Sequence, residues 1–204
     1  MIRILSVDDH PLLREGIAAL IGSQTDMELV AEARNGREAL EMFREHRPDI
    51  TLMDLQMPEM SGIDAVNAIR GEFPGARIIV LTTFAGDVQV SRALKAGARA
   101  YLLKGSLRKE LLETIRAVHA GHKRMSSEVA AEIAEHVTHD ALTPREIDVL
   151  RLVAGGNANK DIAVHLSLTE ETVKSHIRNI LAKLGANDRT HAVVIGIKRG
   201  FIEL

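Results

Sequence analysis

The sequence predicts two folded units: an α/β fold with a parallel sheet over residues 1–120, and a small all-α unit of four helices over 141–204. Three observations carry this. Apolar strand-like runs alternate five times with helix-period segments, which reads as a sheet with helices on both faces. Runs such as Ile78-Ile79-Val80-Leu81 are apolar without a break, as parallel strands buried on both sides require. After a break near Gly121, the helix start and stop signals become explicit.

Taken in order, the strands are expected at Ile2 to Val7, Glu28 to Ala33, Ile50 to Met53, Arg77 to Leu81 and Ala100 to Leu103. Helical patterns fill the intervals at Pro11 to Ile21, Arg37 to His46, Ile63 to Arg70, Val88 to Ala96 and Leu107 to Ala120. Gly121 to Ser126 interrupts the pattern, and Ser127 to Val137 resumes it, so residues 121–140 read as a linker carrying a short helix. His122, His136 and His139 fall in this stretch without the further ligands that a metal site needs. Thr143-Pro144-Arg145-Glu146 then supplies an N-cap threonine, a proline at the first helical position and a glutamate at the third, which together form a capping box. Ile147, Leu150 and Val153 give that helix its buried stripe, and Gly155-Gly156 ends it. A second helix near Lys160 to Leu166, the turn Ser167-Leu168-Thr169 and a third helix from Glu170 make a helix-turn-helix candidate. The last helix spans about Arg189 to Gly200.

Composition excludes several classes. The 204 residues suffice for two small cores. No cysteine means no disulfide, thiolate zinc site or cysteine nucleophile. Aromatics make up 2% of the chain, which argues against a base-stacking surface for single strands. The apolar start Met1-Ile2-Arg3-Ile4-Leu5 is too short for a signal peptide, and no stretch approaches the roughly 18 apolar residues of a membrane span. A cytoplasmic protein without membrane contact is expected. The segment up to Asp140 carries about four excess negative charges, and the rest about two excess positive ones.

The informative side chains sit where strands end. Asp8 and Asp9 follow the first strand, Asp54 ends the third, Thr82 and Thr83 follow the fourth, and Lys104 follows the fifth. Open α/β sheets bind ligands at this edge. A carboxylate there is held rigid by its strand while the loop leaves its oxygens reachable. Three acids at one spot repel by roughly 3 kcal/mol per pair at about 5 Å and an effective dielectric near 20, so the cluster calls for a cation or shifted pKa values.

Asp8-Asp9, the run Asp54-Leu55-Gln56-Met57-Pro58 with Gly62, then Thr82 and Lys104, in that order and spacing, resemble the receiver domain of two-component response regulators. The resemblance implies a flavodoxin-like sheet of five strands in the order 2-1-3-4-5, and a phosphoryl group accepted on Asp54 from a sensor histidine kinase. It also implies Mg2+ on Asp9, Asp54 and the backbone carbonyl of Gln56, with Asp8 acting mainly through water and Lys104 neutralising the phosphoryl oxygens. Thr82 matches the family's switch hydroxyl and Tyr101, the only tyrosine, its switch aromatic. There the phosphoryl group draws the hydroxyl inward and the ring takes the vacated space. One departure stands out: many receivers place proline after the lysine in a cis bond, and here Gly105 follows. A cis bond before a non-proline residue costs about 3 kcal/mol, so the geometry of the Lys104-Gly105 bond stays open.

On the third helix of the second unit, Val173, Ile177, Ile180, Leu181 and Leu184 fall within roughly 100° of arc and face the core. Thr172, Ser175, Arg178 and Asn179 lie opposite, flanked by Lys174, His176 and Lys183. Short polar residues and cations can enter a major groove. With Leu142-Thr143-Pro144-Arg145-Glu146, Asn159-Lys160-Asp161-Ile162-Ala163, Thr172-Val173-Lys174-Ser175-His176, Lys183-Leu184-Gly185 and Arg189, this stretch resembles the LuxR-type DNA-binding domain. Joined to a receiver, it points to the NarL/FixJ subfamily. The resemblance implies base contacts by Lys174, Ser175 and Arg178, and phosphate contacts by Asn159, Lys160, Thr172, Asn179 and Lys183. It also implies a homodimer through Val193, Val194 and Ile197 on double-stranded DNA with inverted repeats. The chain is thus expected to be a phosphorylation-controlled transcription regulator and not an enzyme. Two alternatives stay open: a phosphatase using Asp54 as nucleophile, which needs a second acid where Gln56 stands, and an unphosphorylated receiver acting as a fixed interaction module.

Overall fold

The computed structural model describes residues 1–83, 86–126, 129–130 and 141–202. The helix expected from Ser127 to Val137 falls outside them except for Val129 and Ala130, as do His136 and His139. Two compact units divide the chain, Met1–Thr83 with Val90–Ala130, and Ala131–Leu204 with Phe84–Gln89.

The first unit is built on a parallel sheet of β1 (Ile2–Val7), β2 (Met27–Ala33), β3 (Ile50–Asp54), β4 (Ile78–Thr82), β5 (Ala100–Leu103) and β6 (Arg124–Met125), in the order β2-β1-β3-β4-β5-β6. The order of the first five is the expected one. The sixth strand is an addition. Its two residues pair with Ala100 and Tyr101, and Arg124 N–H donates to the Arg99 carbonyl at 3.0 Å. Five helices connect the strands: α1 (Pro11–Gly22), α2 (Gly36–His46), α3 (Gly62–Glu72), α4 (Asp87–Lys95) and α5 (Leu107–His119).

Successive strand residues point to opposite faces, so the sheet feeds two apolar layers. Ile4, Leu52, Ile79 and Leu81 pack with Ile17 and Ile21 of α1 and with Leu111 and Ile115 of α5. Leu5, Val7, Met53 and Ile78 pack with Phe43 of α2 and with Val66 and Ile69 of α3. Local chemistry sets the helix starts, since the Asn35 and Ser61 side chains accept the Glu38 and Asp64 N–H groups.

The second unit holds α6 (Pro144–Ala154), α7 (Asn159–Leu166), α8 (Glu170–Leu184) and α9 (Arg189–Lys198). The capping box forms as the sequence predicts: Thr143 Oγ1 accepts the Glu146 N–H and Glu146 Oε2 accepts the Thr143 N–H. Gly155 caps α6, and the turn between α7 and α8 passes through Ser167 in the left-handed region. Val149, Leu150, Ile162, Val173, Ile180 and Leu184 form the core, which fixes the polar side of α8 outward. Ile177 and Leu181 are half-buried at its margin.

Candidate functional site

The carboxyl ends of β1, β3 and β5 bring Asp8, Asp9, Asp54 and Lys104 together. Lys104 Nζ lies 2.8 Å from Asp54 Oδ2 and 2.8 Å from Asp8 Oδ2. Asp54 Oδ1 accepts the Gln56 N–H at 3.3 Å. Burial pushes the Asp54 carboxyl above its usual range; Lys104 pulls against that, and Asp8 adds repulsion. Burial works equally to lower Lys104, but the two carboxylates outweigh it and hold the ammonium above its ordinary value.

Exposure departs from expectation. The Asp54 side chain is only 3% exposed, because Lys104 covers its outer side, whereas Asp9 is 32% exposed. Asp9, at the mouth, is the acid that solvent reaches. The peptide bond after Lys104 is trans, no cis bond occurring among the described residues, and Lys104–Ser106 form a single 3-10 turn.

Gly62 is forced by the same geometry. A Cβ there would fall 1.9 Å from the Asp54 carbonyl oxygen, and the Gly62 N–H donates to the Leu55 carbonyl at 3.0 Å. Gly62→Ala must therefore move the backbone that carries Asp54. We expect it to cost about 1–3 kcal/mol in thermal unfolding, as overpacking does, and to slow phosphoryl uptake; full uptake at the wild-type rate would show that the strand end tolerates displacement.

Thr82 and Tyr101 are fully buried, and their side chains are hydrogen-bonded to each other. Burial pushes the tyrosine hydroxyl up to about 12. The ring therefore occupies the interior position, against the hydroxyl that the sequence singles out.

Two neighbours escaped the sequence reading. Arg14 Nη1 donates to the Asp8 carbonyl at 2.7 Å. His10 Nδ1 lies 2.7 Å from Asp9 Oδ1 and 3.2 Å from Asp8 Oδ1. Asp8, Asp9, His10 and Asp54 each place one ligand atom within 4.8 Å of the others, and among the described residues they are the one group able to hold a metal ion. The position of His10 directly after two acids is the signal that could have found it.

In the second unit, Lys174, Ser175, Arg178 and Asn179 are exposed along α8, and Thr172 is half-buried beside its N-cap, Thr169. Lys174 Nζ sits 3.4 Å from Glu170 and 3.7 Å from Glu171, both well exposed. Asn159 and Lys160 open α7, whose N-cap, Ala158, offers no side-chain acceptor. Lys183 is half-buried, and its ammonium lies 2.8 Å from the buried Glu146. On α9, Val194 is 44% exposed, and Val193 and Ile197 are half-buried.

A phosphoacceptor-type acid cluster on one unit and a helix-turn-helix on the other define a two-component response regulator that binds DNA. Comparison with known proteins agrees. The profile described as "Response regulator receiver domain" matches residues 4–116, and that of "Bacterial regulatory proteins, luxR family" matches 140–195. The transcriptional regulatory protein LiaR of Bacillus subtilis is 42% identical over 202 residues, covering 95% of this chain and 96% of its own. The response regulator VraR of Staphylococcus aureus is 36% identical over 207 residues, covering 99% of each. The crystal structure of response regulator ChrA of a heme-sensing two-component system superposes with a TM-score of 0.59 at 32% identity, covering 98% of both chains. The chain belongs to the NarL/FixJ subfamily of response regulators.

Proposed function

We propose that Asp54 accepts a phosphoryl group from a sensor histidine kinase, and that the modified chain binds inverted-repeat DNA as a homodimer. One observation carries this: Lys104 bridges Asp54 and Asp8 at 2.8 Å beside the more exposed Asp9. A carboxylate oxygen of Asp54 attacks phosphorus as the bond to the kinase's histidine nitrogen breaks, and the Lys104 ammonium stays to balance charge on the phosphoryl oxygens.

The residues present fit Mg2+. Asp8, Asp9 and Asp54 crowd three carboxylates into one space against the Lys104 ammonium, 2.8 Å from Asp8 and from Asp54, and this oxygen-rich donor set suits a hard divalent ion. Asp9, Asp54 and the Gln56 carbonyl would hold the ion, with Asp8 acting through water. When bound, it supplies charge neutralisation and orientation for the incoming phosphoryl group.

Binding of the phosphoryl group alters the Thr82–Tyr101 contact, and this biases an existing equilibrium toward the dimer. Val193, Val194 and Ile197 supply the two-fold pairing surface. Lys174, Ser175 and Arg178 face bases, while Asn159, Lys160, Thr172, Asn179 and Lys183 face phosphates. A regulator that acts on DNA belongs, on this reading, in the cytoplasm; separately, no described helix is long and apolar enough to cross a membrane.

Lys174→Ala and Arg178→Ala should each cost roughly 1–3 kcal/mol in binding to the selected duplex. Loss of a base contact also relaxes preference at one position, which a titration over single-base variants reads; unchanged binding by both substitutions would discard the assignment. The whole reading is tested by selecting duplexes from a random pool with and without a small phosphodonor. Enrichment of inverted repeats that rises with phosphodonor is expected. Equal enrichment in both arms would refute control by phosphorylation.

A further inference from the structure

We propose that Arg14 is a positioning residue for phosphoryl transfer: its guanidinium fixes the peptide that joins Asp8 to Asp9 and so aims both carboxylates at the pocket. This rests on the reading of Asp54 as phosphoacceptor given above. Arg14 lies one turn into α1, and helical side chains lean toward the N-terminus of their helix, which carries this one back over the end of β1. Parallel pairing of β1 with β2 ends at Val7 and Ala33. The Asp8 N–H still donates to the Ala33 carbonyl at 3.1 Å, but among the described residues the Asp8 carbonyl receives no backbone donor. Arg14 Nη1 supplies one at 2.7 Å.

Glu32 and Glu38 line the same polar cleft as Arg14, yet Glu32 stands off at 3.9 Å and the short bond goes to a neutral oxygen. A cation seeking only charge balance would close on the carboxylate. The Arg14 side chain is 14% exposed, so its hold on the carbonyl is shielded from water. The Asp8 carbonyl and the Asp9 N–H share one planar unit, and a bond to the first therefore restrains ψ of Asp8 and φ of Asp9 together. From that plane Asp8 reaches Lys104 at 2.8 Å and Asp9 turns to the mouth. Charge and position then have opposite signs. A cation beside the acids repels an incoming divalent ion, so removing its charge alone tightens Mg2+. Removing its hold on the peptide misplaces the carboxylates and weakens Mg2+.

The test measures Mg2+ affinity by calorimetry, and phosphoryl uptake from acetyl phosphate by intact mass, on the full chain as wild type, Arg14→Met and Arg14→Lys. Methionine keeps an apolar stem and loses both donor and charge; lysine keeps a charged donor, and a single bond to a carbonyl needs no more. Arg14→Met should weaken Mg2+ by on the order of 10-fold and raise the Mg2+ needed for half-maximal uptake by the same factor, with Arg14→Lys between it and the wild type. Arg116→Ala, which removes a guanidinium from the Asp26 pair at the other end of β2, should change neither. Equal or tighter Mg2+ binding by Arg14→Met would overturn the proposal, as would a lysine variant no better than methionine. Melting without metal confirms that each variant is folded, and Arg14→Gln takes the place of Arg14→Met if that one is not. If Asp9→Ala and Asp54→Asn both leave Mg2+ binding intact, the pocket reading itself fails, and that outcome is separable from the first.

Discussion

Asp54→Asn is expected to abolish phosphoryl uptake while the fold survives. The reason lies in what the amide keeps and what it loses. Asparagine nearly matches the volume of aspartate, so the end of β3 stays packed, and Gly62 still clears the Asp54 backbone. Lys104 retains Asp8 as a partner 2.8 Å away. The charge removed is one that burial and Asp8 already disfavour. Its loss therefore leaves no orphaned cation and relieves one like-charge contact. What disappears is the anionic oxygen that bonds to phosphorus. Of the two oxygens, Oδ2 is engaged by Lys104 at 2.8 Å, and Oδ1 accepts only a longer bond from the Gln56 N–H at 3.3 Å. Oδ1 is thus the less restrained nucleophile. Intact mass after incubation with magnesium and a small phosphodonor should show one added phosphoryl group on the wild type and none on the variant. A melting temperature within a few degrees of the wild type shows that the loss is chemical. Uptake by the variant at the wild-type rate would move the acceptor to another residue.

Much of this was legible in the sequence because the relevant signals are local. Unbroken apolar runs mark strands buried on both faces, and strand-end acids mark the binding edge, so β1 to β5 and the convergence of Asp8, Asp9, Asp54 and Lys104 follow from the pattern. The capping box at Thr143 is a four-residue signature and forms as read. What escaped depends on distance in the chain or on the absence of periodicity. Two-residue β6 is held by backbone hydrogen bonds and carries no side-chain alternation to detect. Lys104 lying over Asp54 is a contact between residues 50 apart, and it turns an acid read as reachable into a covered one. The ion pair of Lys183 escaped for the same reason. Seen on its helix alone, it flanks the polar face of α8, but its partner Glu146 is 37 residues away on α6. A pattern of residue types on one helix cannot show a partner on another.

That pair sets the second large expectation: Glu146→Ala should destabilise the helix-turn-helix unit by about 2–4 kcal/mol, combining loss of a helix cap with a broken, largely buried ion pair. Glu146 is 3% exposed, and its Oε2 meets the Thr143 N–H at 2.7 Å, the Thr143 hydroxyl at 3.0 Å and Lys183 Nζ at 2.8 Å. One carboxylate oxygen thus ties the start of α6 to α8, the helix whose outward face carries Lys174 and Arg178. Burial pushes the Glu146 carboxyl up, but Lys183 and the two Thr143 donors together outweigh it and hold it below the ordinary 4.5. A depressed carboxyl adds stability that is fully present above the unfolded value and is lost as pH falls through the folded one. The stability gap between wild type and Glu146→Gln should therefore be constant near neutrality and shrink as pH drops below about 4.5. Glutamine keeps an acceptor for Thr143 but leaves Lys183 without its counter-charge, so Glu146→Gln should fall between wild type and alanine at pH 7. Chemical denaturation across pH measures the gap. A gap that stays constant down to acid pH would show that the cap, and not the ion pair with Lys183, holds α6 to α8.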